Sequence, residues 1–259
     1  MQCSRIGSNT VIRKTTLFAF ALYLVPAMAG AATIDFTGLG KAEVVSLGGE
    51  RVVNAWAGEL NWIWLSGQPA SMADAFYTYC VDLKADETDH QGIAVRTTDE
   101  MTGSTPNVGQ KAAWLFNTYA AAIHDDYSAA SKSRAAGLQL AIWEVLYDTP
   151  SQNTIYEVDG SKAGKGNFYA TGLYTSAAAI SYGNLYLQSL LGTGTSYLSA
   201  DATWLDSDNA KYGMTGGPGQ DQIASSVPEP GTLVLLAAGL LGIAGTRRKK
   251  KADLGSRLA

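Results

Sequence analysis

Two short apolar stretches with basic residues beside them bracket this 259-residue chain, and they confine whatever folds to the residues in between. At the N-terminus Arg5, Arg13 and Lys14 precede an apolar run from Leu17 to Val25. Pro26 and the small-residue stretch Ala27-Met28-Ala29-Gly30-Ala31-Ala32 follow. A basic region, a short apolar core and an Ala-x-Ala step, in that order, are the parts of a secretory signal. The run is too short to remain in a bilayer as a helix, which takes about 17–25 residues. Residues 1–29 are therefore expected to be a cleaved signal peptide.

At the C-terminus Val227-Pro228-Glu229-Pro230-Gly231 leads into an uncharged stretch rich in Leu, Ala and Gly over residues 232–246. Arg247-Arg248-Lys249-Lys250-Lys251 closes it. The apolar span is short for a permanent helix, and the basic block holds that end in the cytoplasm. The Pro228-Glu229-Pro230 motif, the short span and the basic stop, in that order, resemble the PEP-CTERM sorting signal over residues 227–251. The resemblance implies cleavage by an exosortase, a transient stay in the inner membrane through this segment alone, and delivery to the cell surface or extracellular matrix. The tail Ala252 to Ala259 is longer than usual for that family. A plain single-pass anchor is the alternative.

Between these ends the charge balance changes. Residues 33–226 hold 10 Lys and Arg against 21 Asp and Glu, a formal charge of −11, because nine of the 19 basic residues lie outside them. So acidic a domain repels phosphate backbones, which excludes nucleic acid as a partner. No phosphate loop, zinc-ligand spacing or Gly-x-Ser-x-Gly elbow occurs, so no cofactor or metal is expected.

Cysteine usage narrows the chemistry further. The chain has two Cys, and Cys3 leaves with the signal peptide, so Cys80 has no intramolecular disulfide partner. In an exported protein a lone Cys points to a reactive thiol, an intermolecular bridge, or a thiol capped by another side chain. The bland alternative is a buried thiol acting as a small hydrophobe. A cysteine hydrolase needs a His beside the thiol. The mature chain has only His90, in the solvated acidic stretch Asp86-Glu87-Thr88-Asp89-His90, and His124, so no turnover enzyme is expected.

Strand patterns dominate the first part: Thr33 to Thr37 and Lys41 to Leu47 around Gly38-Leu39-Gly40, then Val52 to Ala57 and Leu60 to Leu65 as a hairpin about Gly58-Glu59. Ala75 to Leu83 alternates, with Tyr77, Tyr79 and Val81 opposite Phe76, Thr78, Cys80 and Asp82. Helical periodicity follows. Gln110 to Ile123 sets Ala112, Leu115, Phe116, Tyr119 and Ile123 on one face, and Ser133 to Tyr147 does so with Leu138, Ala141, Ile142, Val145 and Leu146. Thr154 to Val158 reads as a strand, and Thr171 to Leu191 contains a helix interrupted at Gly183. The expected fold is α+β: a β-rich sandwich- or barrel-like scaffold with a helical subdomain, one domain over residues 33–215. A flexible linker at 216–226 joins it to the sorting signal.

Two segments carry candidate chemistry. Tyr79-Cys80-Val81-Asp82 lies on a strand, and Leu138-Gln139-Leu140-Ala141-Ile142-Trp143-Glu144 on a helix. Gln139 shares a face with Ile142, Trp143 and Leu146. A carboxamide among apolar residues is costly unless satisfied, and a thiol brought against it offers a covalent solution. These segments resemble the Cys–Gln thioester domain of bacterial surface adhesins, which pairs an aromatic-Cys-aliphatic-acidic strand with a Thr-Gln-x-Ala motif followed by Ile-Trp. Leu138 stands where that motif has Thr. The helix Lys111 to Tyr119 between the motifs is also similar.

The resemblance implies an internal Cys80–Gln139 thioester that reacts once with an amine-bearing surface protein or polymer. It also implies a water-excluding shell drawn from Tyr79, Trp114, Ala141 and Trp143, with Asp82 and Glu144 as possible proton carriers. The rival expectation is a non-covalent exopolysaccharide- or matrix-binding protein that keeps a free Cys80 and uses surface aromatics.

Overall fold

The computed structural model describes residues 32–49, 53–69, 72–83, 85, 91–148, 156–159, 167–207 and 219–225. The signal segment 1–29, His90 with its acidic stretch, and the sorting segment 227–251 lie outside the described residues. Among the described residues no helix is long and apolar enough to cross a membrane.

The fold mixes helices with one large antiparallel sheet. Its strands are β1 (Ala32–Gly49), β2 (Val53–Ser66), β3 (Ala75–Cys80), β4 (Gln91–Thr97), β5 (Phe168–Thr171), β6 (Thr203–Asp206) and β7 (Gln222–Ala224). They lie in the order β2-β3-β7-β6-β4-β1-β5, and β1 also pairs with β2. Six strands thus close on themselves as in a barrel, and β5 continues from the far end of β1. Closure leaves few open strand edges at which another chain could pair.

The expected breaks at the early glycines are corrected. β1 and β2 are single strands of 18 and 14 residues, paired from Thr33 opposite Ser66 to Leu47 opposite Val53. The chain therefore turns after Gly49, not at Gly58-Glu59. The glycines bend the ribbon instead of ending it. Register shifts fall between Phe36 and Gly38 and between Leu39 and Ala42, and Gly38 and Gly58 have φ of 135° and 139°. Only glycine adopts such angles without strain, and the resulting bulges coil the long strands around the barrel.

Three helices cover the barrel: α1 (Val108–His124), α2 (Ser131–Tyr147) and α3 (Ala177–Gly192). On α1, Ala112, Leu115, Phe116 and Ile123 are buried as expected, and Tyr119 is half-buried. On α2 the expectation of one apolar face is too narrow. Every residue from Ala135 to Leu146 is buried, because the helix runs between the strands and the other two helices.

α3 passes through Gly183 without interruption, since that glycine faces Gly137 of α2 where the two helices cross. A Cβ at Gly137 would lie 2.6 Å from the Tyr182 Cβ and 2.9 Å from the Ala179 oxygen. Gly137→Ala is therefore expected to cost about 1–3 kcal/mol by overpacking. Thermal unfolding of the secreted domain checks this, and an unchanged Tm would refute the tight crossing.

Of the expected strand Thr154 to Val158, the first two residues lie outside the described ones. Tyr156 to Val158 are not strand, although the Ala170 N–H donates to the Val158 oxygen at 2.7 Å. The expected linker is also corrected: Gln222–Ala224 form β7, between β3 and β6. Three residues give no readable alternation. Gln222 is moreover a buried polar residue, held by the Thr78 hydroxyl at 2.9 Å, so the segment looks solvated in sequence while being part of the core.

Candidate functional site

β3 ends at Cys80 because the chain there has run past its partner. β2 pairs with β3 only from Ile63 opposite Ala75 to Leu60 opposite Thr78. One edge of Cys80 is still covered by β7, through its pairing with Gln222. The other edge presents a backbone N–H and C=O with no strand beside them. The Gln139 side chain fills that place. Its Oε1 accepts from the Cys80 N–H at 2.9 Å, and its Nε2 donates to the Cys80 oxygen at 2.7 Å. The carboxamide thus acts as one more rung of the ladder, and reversing it would set oxygen against oxygen.

Cys80 and Gln139, 59 residues apart in sequence, are both almost fully buried there. The Cys80 thiol is in no disulfide, and Sγ donates to the Asp82 oxygen at 2.8 Å. Leu138 is completely buried and supplies no hydroxyl, so the strand backbone, rather than a neighbouring Thr, orients the amide.

Past Cys80 the chain is strapped down by α2. The Leu83 N–H donates to the Tyr147 hydroxyl at 3.0 Å, and that hydroxyl donates to the Val81 oxygen at 3.1 Å and lies 3.4 Å from Asp82 Oδ1. Burial raises the Tyr147 pKa, and the nearby Asp82 and Cys80 add to the rise. The Val81 N–H donates to the Asp221 oxygen at 2.9 Å, which ties the segment to the start of β7. A cavity of about 420 Å³ opens here, bounded by Asp82, Ser104, Tyr147, Asn167, Trp204 and Asp221. Burial pushes the Asp221 carboxyl up to about 6, against the pull of the Ser207 N–H and hydroxyl, and Asp206 and Asp82 push the same way as burial.

The remaining sequence candidates fall into two groups. Ala141 and Trp143 are buried on α2 with Gln139, and Trp143 meets Phe168 edge-on with centroids 6.2 Å apart. Tyr79 is buried but points to the opposite side of β3 from Cys80, edge-on to Phe116 at 5.9 Å, so it packs under α1. Trp114 is half-buried against Tyr119, and none of its described contacts reaches Cys80 or Gln139. Glu144 is turned away too: its Oε1 accepts from the Glu157 N–H at 2.9 Å. Burial pushes its carboxyl up to about 9, so it is neutral at physiological pH. His124 is occupied elsewhere, 3.0 Å from Glu59 and stacked on Tyr77.

Sequence reasoning missed Tyr147, Trp204 and Asp221. Tyr147 was readable, since it lies two turns beyond Gln139 on one helix. Trp204 and Asp221 carry no such signal, because long-range pairing of β6 and β7 alone brings them to β3.

The comparisons with known proteins bear on the C-terminus. The family described as the PEP-CTERM protein-sorting motif matches residues 226–249. No curated protein and no solved structure matches the chain. The chain carries the C-terminal signal of proteins sorted by exosortase, and with it the route of an exported, membrane-processed protein bound for the cell exterior.

Proposed function

We propose that this is a surface adhesion protein that stores an internal thioester between Cys80 Sγ and the Gln139 side-chain carbon, and spends it once on an amine of another surface. One observation carries the reading: the Gln139 carboxamide sits on the Cys80 backbone through bonds of 2.9 and 2.7 Å, inside the core. Formation needs only these two side chains. The sulfur attacks the carboxamide carbon, the C–N bond breaks, and the nitrogen leaves as ammonia carrying the thiol proton. The stored acyl group then passes to an incoming amine and the thiol is regenerated, which is nucleophilic acyl transfer without turnover. Burial supports it, because a thioester persists only where water is excluded.

Intact mass of the secreted protein tests the reading. The expected species is lighter than its sequence by one ammonia, has no titratable thiol when unfolded, and gains one methylamine when treated with it. A full-mass protein with a reactive Cys80 that ignores methylamine would sink it.

A second reading has its own support. The same two hydrogen bonds satisfy the buried carboxamide without any covalent link, and Trp56, Tyr127 and Tyr174 are exposed. These suit a non-covalent exopolysaccharide- or matrix-binding protein with a free Cys80. Sugar rings stack on such aromatics.

A further inference from the structure

The cavity beside Cys80 has walls of a particular kind. Six described chain segments meet at it, and two of them continue from the proposed reactive residues. Val81 and Asp82 follow Cys80 directly, and Leu146 and Tyr147 lie two turns beyond Gln139 on α2. Another segment brings Asp221, the residue before Gln222, which pairs with Cys80. Among the described residues the lining holds two carboxylates, Asp82 and Asp221, and no Lys or Arg. The Arg96 guanidinium on β4 lies over the Trp204 ring and is paired with Asp206 at 2.8 Å and Glu100 at 2.8 Å. Trp204, Tyr147 and Met101 give the cavity an aromatic and apolar wall. Such a space matches a flexible alkyl stem ending in a cation.

Resting on the thioester reading, we propose that this cavity is the port through which a primary alkylammonium, such as a lysine side chain, reaches the Gln139 acyl carbon, and that Asp221 selects it and takes its proton. Asp221 is placed for this. Its carboxylate accepts from the Ser207 N–H at 2.7 Å, the Ser207 hydroxyl at 2.9 Å and the Trp204 indole at 3.2 Å, so it is fixed at the wall with one acceptor site of Oδ2 left. Its raised basicity suits a proton acceptor near neutral pH.

The steps balance. The ammonium gives one proton to Asp221, and the free amine attacks the Gln139 carbonyl carbon. The C–S bond breaks with its electron pair on Sγ, the second nitrogen proton passes to that sulfur, and an amide and the Cys80 thiol remain. Asp221 returns its proton to solvent.

The test compares two nucleophiles at neutral pH on the secreted protein: n-butylamine, which is protonated, and hydroxylamine, which is not. Thioester consumption is followed by intact mass. Asp221→Asn is expected to slow n-butylamine relative to hydroxylamine by at least about tenfold, the scale of losing a steering charge or general base. Asp74→Asn, at the opposite end of β3, should alter neither rate. Equal effects of Asp221→Asn on both nucleophiles, or none, would overturn the proposal.

If the parent protein shows no thioester, the functional reading fails, and the port is then judged on binding alone. In Cys80→Ala protein, n-butylammonium should shift the Trp204 indole N–H resonance, and Asp221→Asn should abolish the shift. An unmoved resonance rules out an alkylammonium site.

Discussion

The Glu144→Gln variant is expected to be more stable than its parent by about 2–4 kcal/mol near pH 8, with the gap closing by about pH 4. The cause is a carboxyl in the wrong medium. Burial pushes Glu144 from 4.5 up to about 9, with Asp148 adding to the rise and the Glu157 N–H opposing it. The unfolded chain ionises near the ordinary value, while the folded chain keeps its proton to about 9. Between those values unfolding releases a proton, so stability falls as pH rises. It is full below the unfolded value and is lost progressively up to the folded one. Gln keeps an oxygen for the Glu157 N–H, supplies an N–H toward Asp148, and has nothing to ionise. Urea unfolding of both proteins across this range is the measurement. Parallel stability profiles would show that Glu144 ionises normally in the fold.

The second large effect separates the two readings of the Cys80 site. Gln139→Leu removes the partner of a buried N–H and C=O, at a cost of about 2–4 kcal/mol, and under the covalent reading it opens the loop as well. Cys80→Ala leaves those backbone groups and the carboxamide in place. Without a thioester it loses only a small buried thiol, about 1 kcal/mol. With a thioester it also opens a covalent loop of about 60 residues, whose closure contributes on the order of 4 kcal/mol by analogy with disulfides. The covalent reading therefore expects Cys80→Ala to cost about 5 kcal/mol, and the free-thiol reading about 1 kcal/mol. A mild Cys80→Ala in denaturant unfolding would favour the free-thiol matrix protein.

Local patterns were legible where neighbouring residues decide the outcome. The 3.6-residue period of α1 and α2 located both helices to within two residues at each end, because one buried face must repeat at that spacing. The alternation around Tyr79 and Cys80 located β3. The glycines misled for a physical reason: the same freedom that permits a turn also permits a bulge. Only the partner strand decides which occurs at Gly38 and Gly58. Gly183 misled in the same way. It reads as a helix breaker, yet it supplies the clearance that lets α2 and α3 cross at Gly137.

By itself the sequence determined the C-terminal sorting motif, the acidic balance of residues 33–226, and the helix and strand that carry Gln139 and Cys80. These follow from composition and short-range periodicity, which need no knowledge of distant contacts. The tertiary structure alone decided that the early strands close into a ring, that Gln222–Ala224 belong to it, and that the Gln139 amide completes the ladder at Cys80. It also decided that Glu144 is held by the Glu157 N–H while Asp221 lines a cavity with Val81 and Asp82. Each of these depends on hydrogen bonds between groups in different elements of the chain. A buried polar residue shows its partner only when the chain has closed around both.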